Sequence, residues 1–314
     1  LKGAQIAIDA ANASGGIGGR QVQAMVVDNM SQAGRTVALG TQLMSQEKAL
    51  AVLGPATEDL FRATVTVADR HEIVAVSPLA CGSRVLAMTE QAPHPYVFRS
   101  CLGYAQQGRT MANFAAANLS ARSALVLRTT EGPFADFADA FIAEFTASGG
   151  QIIADEVIGP GETDLSRYVT QLAETPVDVV YVATGSAQAA HLIGQLRGAG
   201  LKHPVLGIES FNDPVLRDIA GAGALTGVYF TVDFSSADSR NPRVQGFIDA
   251  YRNAWNGEEP SSQSALGHDA ALLILGAIRR ANSPTGVEVQ RALAETQNLD
   301  GVTGRMSIGP DHEV

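Results

Sequence analysis

The residues best suited to contact a small ligand lie in polar loops that directly follow predicted β-strands. The loops of the first half are 54–58 and 77–83, and those of the second half are 129–134, 184–186 and 208–211. Open parallel sheets bind ligands at the carboxyl ends of their strands, where these loops lie. The two loops of the first half also precede helices, whose free N–H groups suit a carboxylate. Glu209 is an acidic residue just past a strand end, so it is either a ligand-binding group or an exposed surface carboxylate.

The sequence lacks the motifs of common catalytic and metal sites. A cluster of glycines at 15–19 invites comparison with a dinucleotide-binding motif, but that motif needs a strand before its glycines and a helix after them. Here a helix precedes them, and a tight turn explains them because glycine tolerates positive φ. Phosphate-binding loops, zinc-protease helices and nucleophile elbows do not occur, and the six histidines lack metal-ligand spacing. We therefore expect no catalytic residue, no metal and no cofactor.

The elements that position these loops alternate short apolar strands with longer amphipathic helices, which predicts parallel sheets covered by helices. In the first half, helices are predicted at 4–13, 33–46 and 59–71, and strands at 22–27, 51–53 and 73–76. The pattern restarts after 96–99, with helices at 106–118, 135–147, 165–172 and 187–199, and strands at 124–127, 152–157, 177–182 and 204–206. The block 241–295 is almost all helical, and 301–308 has strand character. We expect two α/β lobes, residues 1–103 with 236–314 and residues 104–235, because the helical block returns to cover the first half.

Length and charge narrow the class of protein. At 314 residues the chain exceeds the usual size of one domain, so two lobes are expected. A formal net charge of −10 argues against a nucleic-acid partner, which needs a cationic surface. The longest apolar runs are of strand length, whereas a membrane span needs about 20 residues. The sequence starts at Leu1 with neither a secretory signal nor an initiator Met, so we expect any targeting segment to have been removed or left out.

The two cysteines, Cys81 and Cys101, leave two alternatives. They form a disulfide in an oxidising compartment, or they remain two buried thiols. Spacing alone does not decide, because it does not reveal whether their Cβ atoms face each other.

Several stretches, taken in order along the chain, resemble the type I periplasmic binding proteins of the leucine/isoleucine/valine-binding class, which serve ABC importers. They are KGAQIAIDAANASGGIGGRQVQAMVV (2–27), VLGP (52–55), VSP (76–78), YVFRS (96–100), QG (107–108), GL (200–201), FND (211–213), GHDA (267–270) and GVTGR (301–305). Together they extend over nearly the whole chain. The resemblance implies the fold of that family: two Rossmann-like, hinge-linked lobes with parallel sheets flanked by helices, which close on a ligand in the cleft between them.

The resemblance also implies which residues bind the ligand. The family binds the ligand carboxylate with the loop after the Ser-Pro strand, a role that falls here on 79–81 (Leu79, Ala80 and Cys81). A second carboxylate-binding hydroxyl aligns near Thr57 or Glu58. Glu209 aligns with the acidic residue that pairs with the ligand ammonium. The pocket positions are those of Tyr104, Phe134, Ser186 and Phe211.

Departures from the family pattern argue against leucine itself as the ligand. Cys81 replaces a Thr or Ser, Glu58 stands where a small hydroxyl residue is frequent, Gly132-Pro133-Phe134 replaces Asp-Tyr-Gly, and Ser186 replaces an aromatic residue. A buried Glu58 would repel a carboxylate and favour a cationic or polar ligand, whereas an exposed Glu58 would point to water. The family also has a strand before the helix of Lys2 and strands after Gly309-Pro310. This sequence has neither, so we expect a shortened chain or a different architecture.

The leading hypothesis is the solute-binding protein of an ABC importer, periplasmic or lipid-anchored outside the cytoplasm. We expect a monomer that binds an amino acid or related amine-bearing carboxylate and signals its closure to a permease in the membrane. The alternative is a ligand-sensing regulatory or receptor domain of the same fold, which genomic neighbours or a signal peptide on the precursor would distinguish. An enzyme of doubly wound fold is the third reading, and no nucleophile with a base, metal cluster or phosphate loop supports it.

Overall fold

The computed structural model describes residues 1–82, 87–89, 92–130, 132–236 and 240–314. Two residues of the predicted ligand loops, Ser83 and Glu131, lie outside these ranges. The chain folds into two compact units, unit 1 (Leu1–Leu102 with Asp233–Val314) and unit 2 (Gly103–Val232). Each unit combines a parallel sheet with helices, which confirms the predicted α/β class.

The elements follow the predicted alternation closely. The α-helices among the described residues are α1 (Lys2–Ala13), α2 (Ala33–Thr41), α3 (Glu58–His71), α4 (Tyr104–Asn118), α5 (Phe134–Ala147), α6 (Ser166–Glu174), α7 (Ser186–Gly198), α8 (Pro214–Ala220), α9 (Pro242–Ala254), α10 (Ser262–Arg280) and α11 (Gly286–Ala294). The strands in the same ranges are β1 (Ala51–Leu53), β2 (Val74–Ser77), β3 (Ala87–Thr89), β4 (Ala92–Pro93), β5 (Val97–Arg99), β6 (Ser123–Arg128), β7 (Gln151–Val157), β8 (Val179–Ala183), β9 (Val205–Gly207), β10 (Val228–Phe230), β11 (Leu299–Asp300) and β12 (Arg305–Met306). Within the described ranges, no helix combines the length and the apolar character that crossing a bilayer requires.

The sheet of unit 1 has the order β1-β2-β5 among the described residues, with all pairs parallel. Side chains alternate across this sheet, as they do in any strand. Ala75 and Val97 pack with α3 on one face, whereas Val74, Val76 and Phe98 pack with α10 and α11 on the other. The helical block at the end of the sequence therefore covers the sheet formed by the start of the sequence.

The sheet of unit 2 has the order β10-β9-β8-β6-β7 in the described ranges, again with parallel pairs. Every residue of β8 is buried, since helices cover both faces. On one face α4 and α5 contribute an aromatic core in which the rings of Phe141 and Tyr181 stack with centroids 4.0 Å apart. On the other face α6 and α7 pack against Val180 and Val182. The central strands thus end in loops held by a rigid sheet.

The strand predicted at 22–27 is wrong. The structure assigns no strand there and pairs no described strand with it, and the side chains of Met25 and Val26 are 50% and 61% exposed. β-branched composition favours extended backbone, but a strand forms only where its N–H and C=O groups bond to a neighbouring strand. The sequence also did not indicate β10, α8 or the antiparallel pair of β3 and β4. At 301–308 the strand character is confined to β12, which pairs with β11.

Candidate functional site

Glu209 lies at the carboxyl end of β9, in unit 2. The strand ends at Gly207, and Glu209 opens a 3₁₀ turn over Glu209–Asn212. The hydroxyl of Ser210 donates to the carbonyl of Thr184, which directly follows β8, at 2.8 Å. Because β8 and β9 are parallel neighbours, the turn is fixed to the ends of two adjacent strands. This edge of an α/β sheet is where ligands bind.

Gln107 of α4 holds the Glu209 carboxylate. The amide Nε2 donates to Glu209 Oε2 at 2.6 Å, and the amide Oε1 accepts from Thr231 Oγ1 at 2.8 Å. Burial raises the pKa of Glu209, and the bond from Gln107 acts in the opposite direction. Among the described residues, neither Lys nor Arg pairs with Glu209. The site therefore offers a half-buried negative charge, which attracts a cation such as an ammonium group.

Three of the predicted pocket residues open helices of unit 2. Phe134 and Ser186 are the first residues of α5 and α7, which follow β6 and β8, and both are half-buried. They therefore lie at the same sheet edge as Glu209. Tyr104 is the first residue of α4, with its ring centroid 4.7 Å from that of Phe137.

The side chain of Phe211, a predicted pocket residue, lies in the hydrophobic core of unit 2. Its side chain is 2% exposed and packs within the cluster beneath α7 and α8. The ring lies against Gly207 so closely that a Cβ atom at Gly207 would be 2.2 Å from Phe211 Cε2. Phe211 thus supports the turn that carries Glu209.

In unit 1, Thr57 and Glu58 stand at the start of α3. Thr57 is exposed at the N-cap, and Glu58 is half-buried. The Glu58 carboxylate lies over Gly82, where a Cβ atom would be 2.5 Å from Glu58 Oε1. That oxygen is buried and has no hydrogen-bond partner among the described residues. Glu58 therefore does not simply point to water, which was one of the two alternatives left by the sequence.

Hydrogen bonds of the Ser77 side chain hold the loop after β2 in place. Ser77 Oγ accepts from the N–H of Ala80 at 3.1 Å and donates to the carbonyl of Pro55 at 2.8 Å. Ala80 is fully buried, whereas Leu79 is half-buried. Because the Ala80 N–H already has a partner, a ligand carboxylate would have to share it with Ser77.

Cys81 forms a disulfide with Cys101, with their Cα atoms 5.8 Å apart. This decides between the two alternatives for the cysteines, and it leaves Cys81 without a thiol to offer a ligand. The buried guanidinium of Arg99 donates to the Cys81 carbonyl and pairs with Glu313. Among the residues that the structure describes, no three His, Cys, Asp or Glu side chains are placed to hold a metal ion.

The sequence profile of the periplasmic binding protein family matches residues 1–314. The chain belongs to this family. Leu/Ile/Val-binding protein homolog 3 of Brucella melitensis is 26% identical over 308 residues, which are 98% of this chain and 81% of that protein. The crystal structure of the branched-chain amino acid transporter substrate-binding protein LivJ of Streptococcus pneumoniae, in complex with isoleucine, is 30% identical with a TM-score of 0.78, covering 99% of this chain and 87% of that one. The leucine-binding protein LivK of Thermotoga maritima is 25% identical with a TM-score of 0.77, covering 99% and 86%.

These similarities confirm the resemblance to type I periplasmic binding proteins of the branched-chain amino acid class. Proteins of this family bind solutes and are not enzymes, and the family implies a location outside the cytoplasm. Gln107 and Thr231 are the residues of the site that the sequence did not single out. Gln107 lies in one of the stretches that carry the resemblance, but nothing in the sequence linked it to Glu209.

Proposed function

We propose that this chain is the solute-binding protein of an ABC importer and that it binds an amino acid or a related small amine-bearing carboxylate. The observation that carries the proposal is Glu209, a half-buried carboxylate at a strand end with no basic partner among the described residues. It would pair with the ligand ammonium. One relative is named a Leu/Ile/Val-binding protein homologue, and LivJ was crystallised in complex with isoleucine, which supports the same ligand class. The proposed partner is the permease of the importer.

The remaining contacts follow from where the side chains lie. Tyr104, Phe134 and Ser186, which open helices of the same unit as Glu209, would contact the ligand side chain. In unit 1, the proposed carboxylate-binding positions are Thr57 and the loop of Leu79, Ala80 and Cys81.

The Glu58 carboxylate restricts which groups the ligand can carry near its carboxyl end. Its buried Oε1 lacks a donor among the described residues, and leaving a buried acceptor unsatisfied costs about 1–3 kcal/mol. A ligand that brings an N–H or O–H group would satisfy it, whereas a second carboxylate would be repelled. We therefore propose that the group of the ligand facing Glu58 is a hydrogen-bond donor, such as a hydroxyl or an amide N–H, and not its carboxylate.

The proposal is tested by ligand series and one substitution. A thermal-shift screen of amino acids, amino acid amides and the matching des-amino acids identifies ligands, since binding to the native state raises its stability. Calorimetry then compares the best amine-bearing ligand with its des-amino analogue on wild type and Glu209→Gln. We expect Glu209→Gln to weaken the amine-bearing ligand by about tenfold to a hundredfold, the range of a lost charge-assisted hydrogen bond.

The matched control is Glu174→Gln, which removes an exposed carboxylate at the end of α6 in the same unit. This variant should bind like the wild type. Equal affinity of the wild type for the amine-bearing ligand and its des-amino analogue would contradict the role of Glu209.

A further inference from the structure

The hydrogen bonds of Gln107 form a chain of three side chains within unit 2. Thr231, directly after β10, donates to the amide oxygen of Gln107, and the amide nitrogen donates to Glu209. The three residues come from different elements, and Gln107 itself is 2% exposed. A buried side chain with both ends bonded has little rotational freedom, so it fixes what it touches.

The direction of these bonds matches an ionised Glu209. An amide has one donor end and one acceptor end. With its oxygen facing Thr231, the amide presents N–H to the carboxylate. In the opposite orientation, the amide oxygen would face Glu209, and the two acceptors would repel each other unless the carboxyl group were protonated.

We propose that Gln107 is the positioning residue for Glu209: anchored by Thr231, it holds Oε2 of the carboxylate and turns Oε1 toward the ligand ammonium. This inference rests on the proposed function of Glu209. Oε1 has no hydrogen-bond partner among the described residues, so it is available to a ligand. A neutral donor suits this role because it orients the carboxylate without cancelling the charge that attracts the ligand, which Lys or Arg would do.

The charged residues around the turn of Glu209–Asn212 do not position the Glu209 carboxylate. The elements packed against Glu209–Asn212 include α7, α8 and β10, which carry His191, Arg197, Arg217, Asp218 and Tyr229. Arg197 donates to four backbone carbonyls, and none of these residues pairs with Glu209 in the described ranges. The pKa of Glu209 responds to burial and to Gln107.

The test separates positioning from ligand recognition. In the ligand-free protein, carbon-13 NMR of the Glu209 carboxyl, assigned by its loss in Glu209→Gln, gives the midpoint of its titration. In Gln107→Met, which keeps the length and loses the donor, we expect that midpoint at higher pH. Thr231→Val should move it in the same direction by less, and Thr231→Ser, which keeps the hydroxyl, should restore it. Leucine affinity at pH 7 should fall about tenfold in Gln107→Met.

Gln106→Met is the matched control, because Gln106 is exposed on the same helix and its side chain bonds only Arg109 among the described residues. It should leave both the midpoint and the affinity unchanged. An unchanged Glu209 midpoint in Gln107→Met, or in Thr231→Val where Gln107→Met does not fold, would overturn the inference. A midpoint that moves as expected in a protein that binds no amine-bearing ligand would uphold the role of Gln107 and refute the proposed function.

Discussion

At the scale of single residues, Glu58 gives the sharpest expectation about specificity. Its carboxylate lies over Gly82 beside the loop proposed to contact the ligand carboxyl end. Removing the charge in Glu58→Gln should improve the affinity for leucine relative to leucinamide. Two charges a few ångströms apart interact strongly, but Glu58 is half-exposed and screened, so we expect about 1 kcal/mol, or roughly a fivefold change in the ratio of affinities.

Asp59→Asn provides the control for this change. Asp59 is exposed in the same first turn of α3, so its variant alters the charge of the helix start without touching Gly82. Calorimetry with leucine and leucinamide on both variants measures the ratio. An equal shift in both variants would mean that Glu58 acts through the general charge of this helix end.

The residues also show what a sequence can and cannot indicate about a site. Glu209 was identifiable as a candidate because an acidic residue directly after a strand lies at the edge of a sheet where ligands bind. Its partner Gln107 is 102 residues away, and Thr231 is 124 residues from Gln107. Such pairings depend on the fold and not on local spacing. Phe211 illustrates the converse, since an aromatic residue after a strand has the same local signature in a pocket and in a core.

At the scale of elements, the packing of Phe211 on Gly207 affects both the stability of the turn and the position of Glu209, which the turn carries. Gly207→Ala would place a methyl group too close to the Phe211 ring, 2.2 Å from Cε2, and overpacking of this kind costs about 1–3 kcal/mol. Because the displaced ring belongs to the turn of Glu209, we expect weaker leucine binding as well as a lower free energy of unfolding. Urea unfolding and calorimetry measure the two effects.

The same substitution at Gly198 should behave differently. Gly198 is the exposed last residue of α7, and a Cβ atom there meets nothing within 4 Å. Gly198→Ala should leave binding unchanged and stabilise the protein by up to about 1 kcal/mol, because alanine favours the helix. Loss of stability in both variants would show that the contact of Phe211 with Gly207 is not the cause.

The elements themselves were predicted well where the pattern was local. Amphipathic periodicity located α3, α5 and α7 to within two residues. The reason is that the buried face of a helix requires apolar residues at helical spacing, which the sequence shows directly. The failure at 22–27 has a different origin. Its side chains have strand character, but the pairing partner that a strand requires is a property of the sheet.

At the scale of the whole molecule, the proposed site should cost stability when empty. Burial raises the pKa of Glu209, so the native state holds its proton more tightly than the unfolded state does. The contribution of the Glu209 carboxyl to the free energy of unfolding is fully present below its unfolded pKa. It is lost as pH rises through the higher folded pKa. Above its folded pKa, the empty wild-type protein therefore bears the cost of an ionised, half-buried carboxylate.

This cost predicts an inversion between wild type and Glu209→Gln. Without ligand at pH 7.5, Glu209→Gln should be the more stable protein, and the difference should vanish as pH falls below the ordinary range of a Glu carboxyl. With leucine at about 100 times its dissociation constant, the wild type should gain about 2.7 kcal/mol. The variant should gain much less, so the order reverses. Urea midpoints measured with and without leucine at both pH values, with Glu174→Gln as control, test this. A variant less stable than wild type without ligand at pH 7.5 would show that Glu209 serves the fold instead of a ligand, since a carboxylate kept for binding is a site where function opposes stability.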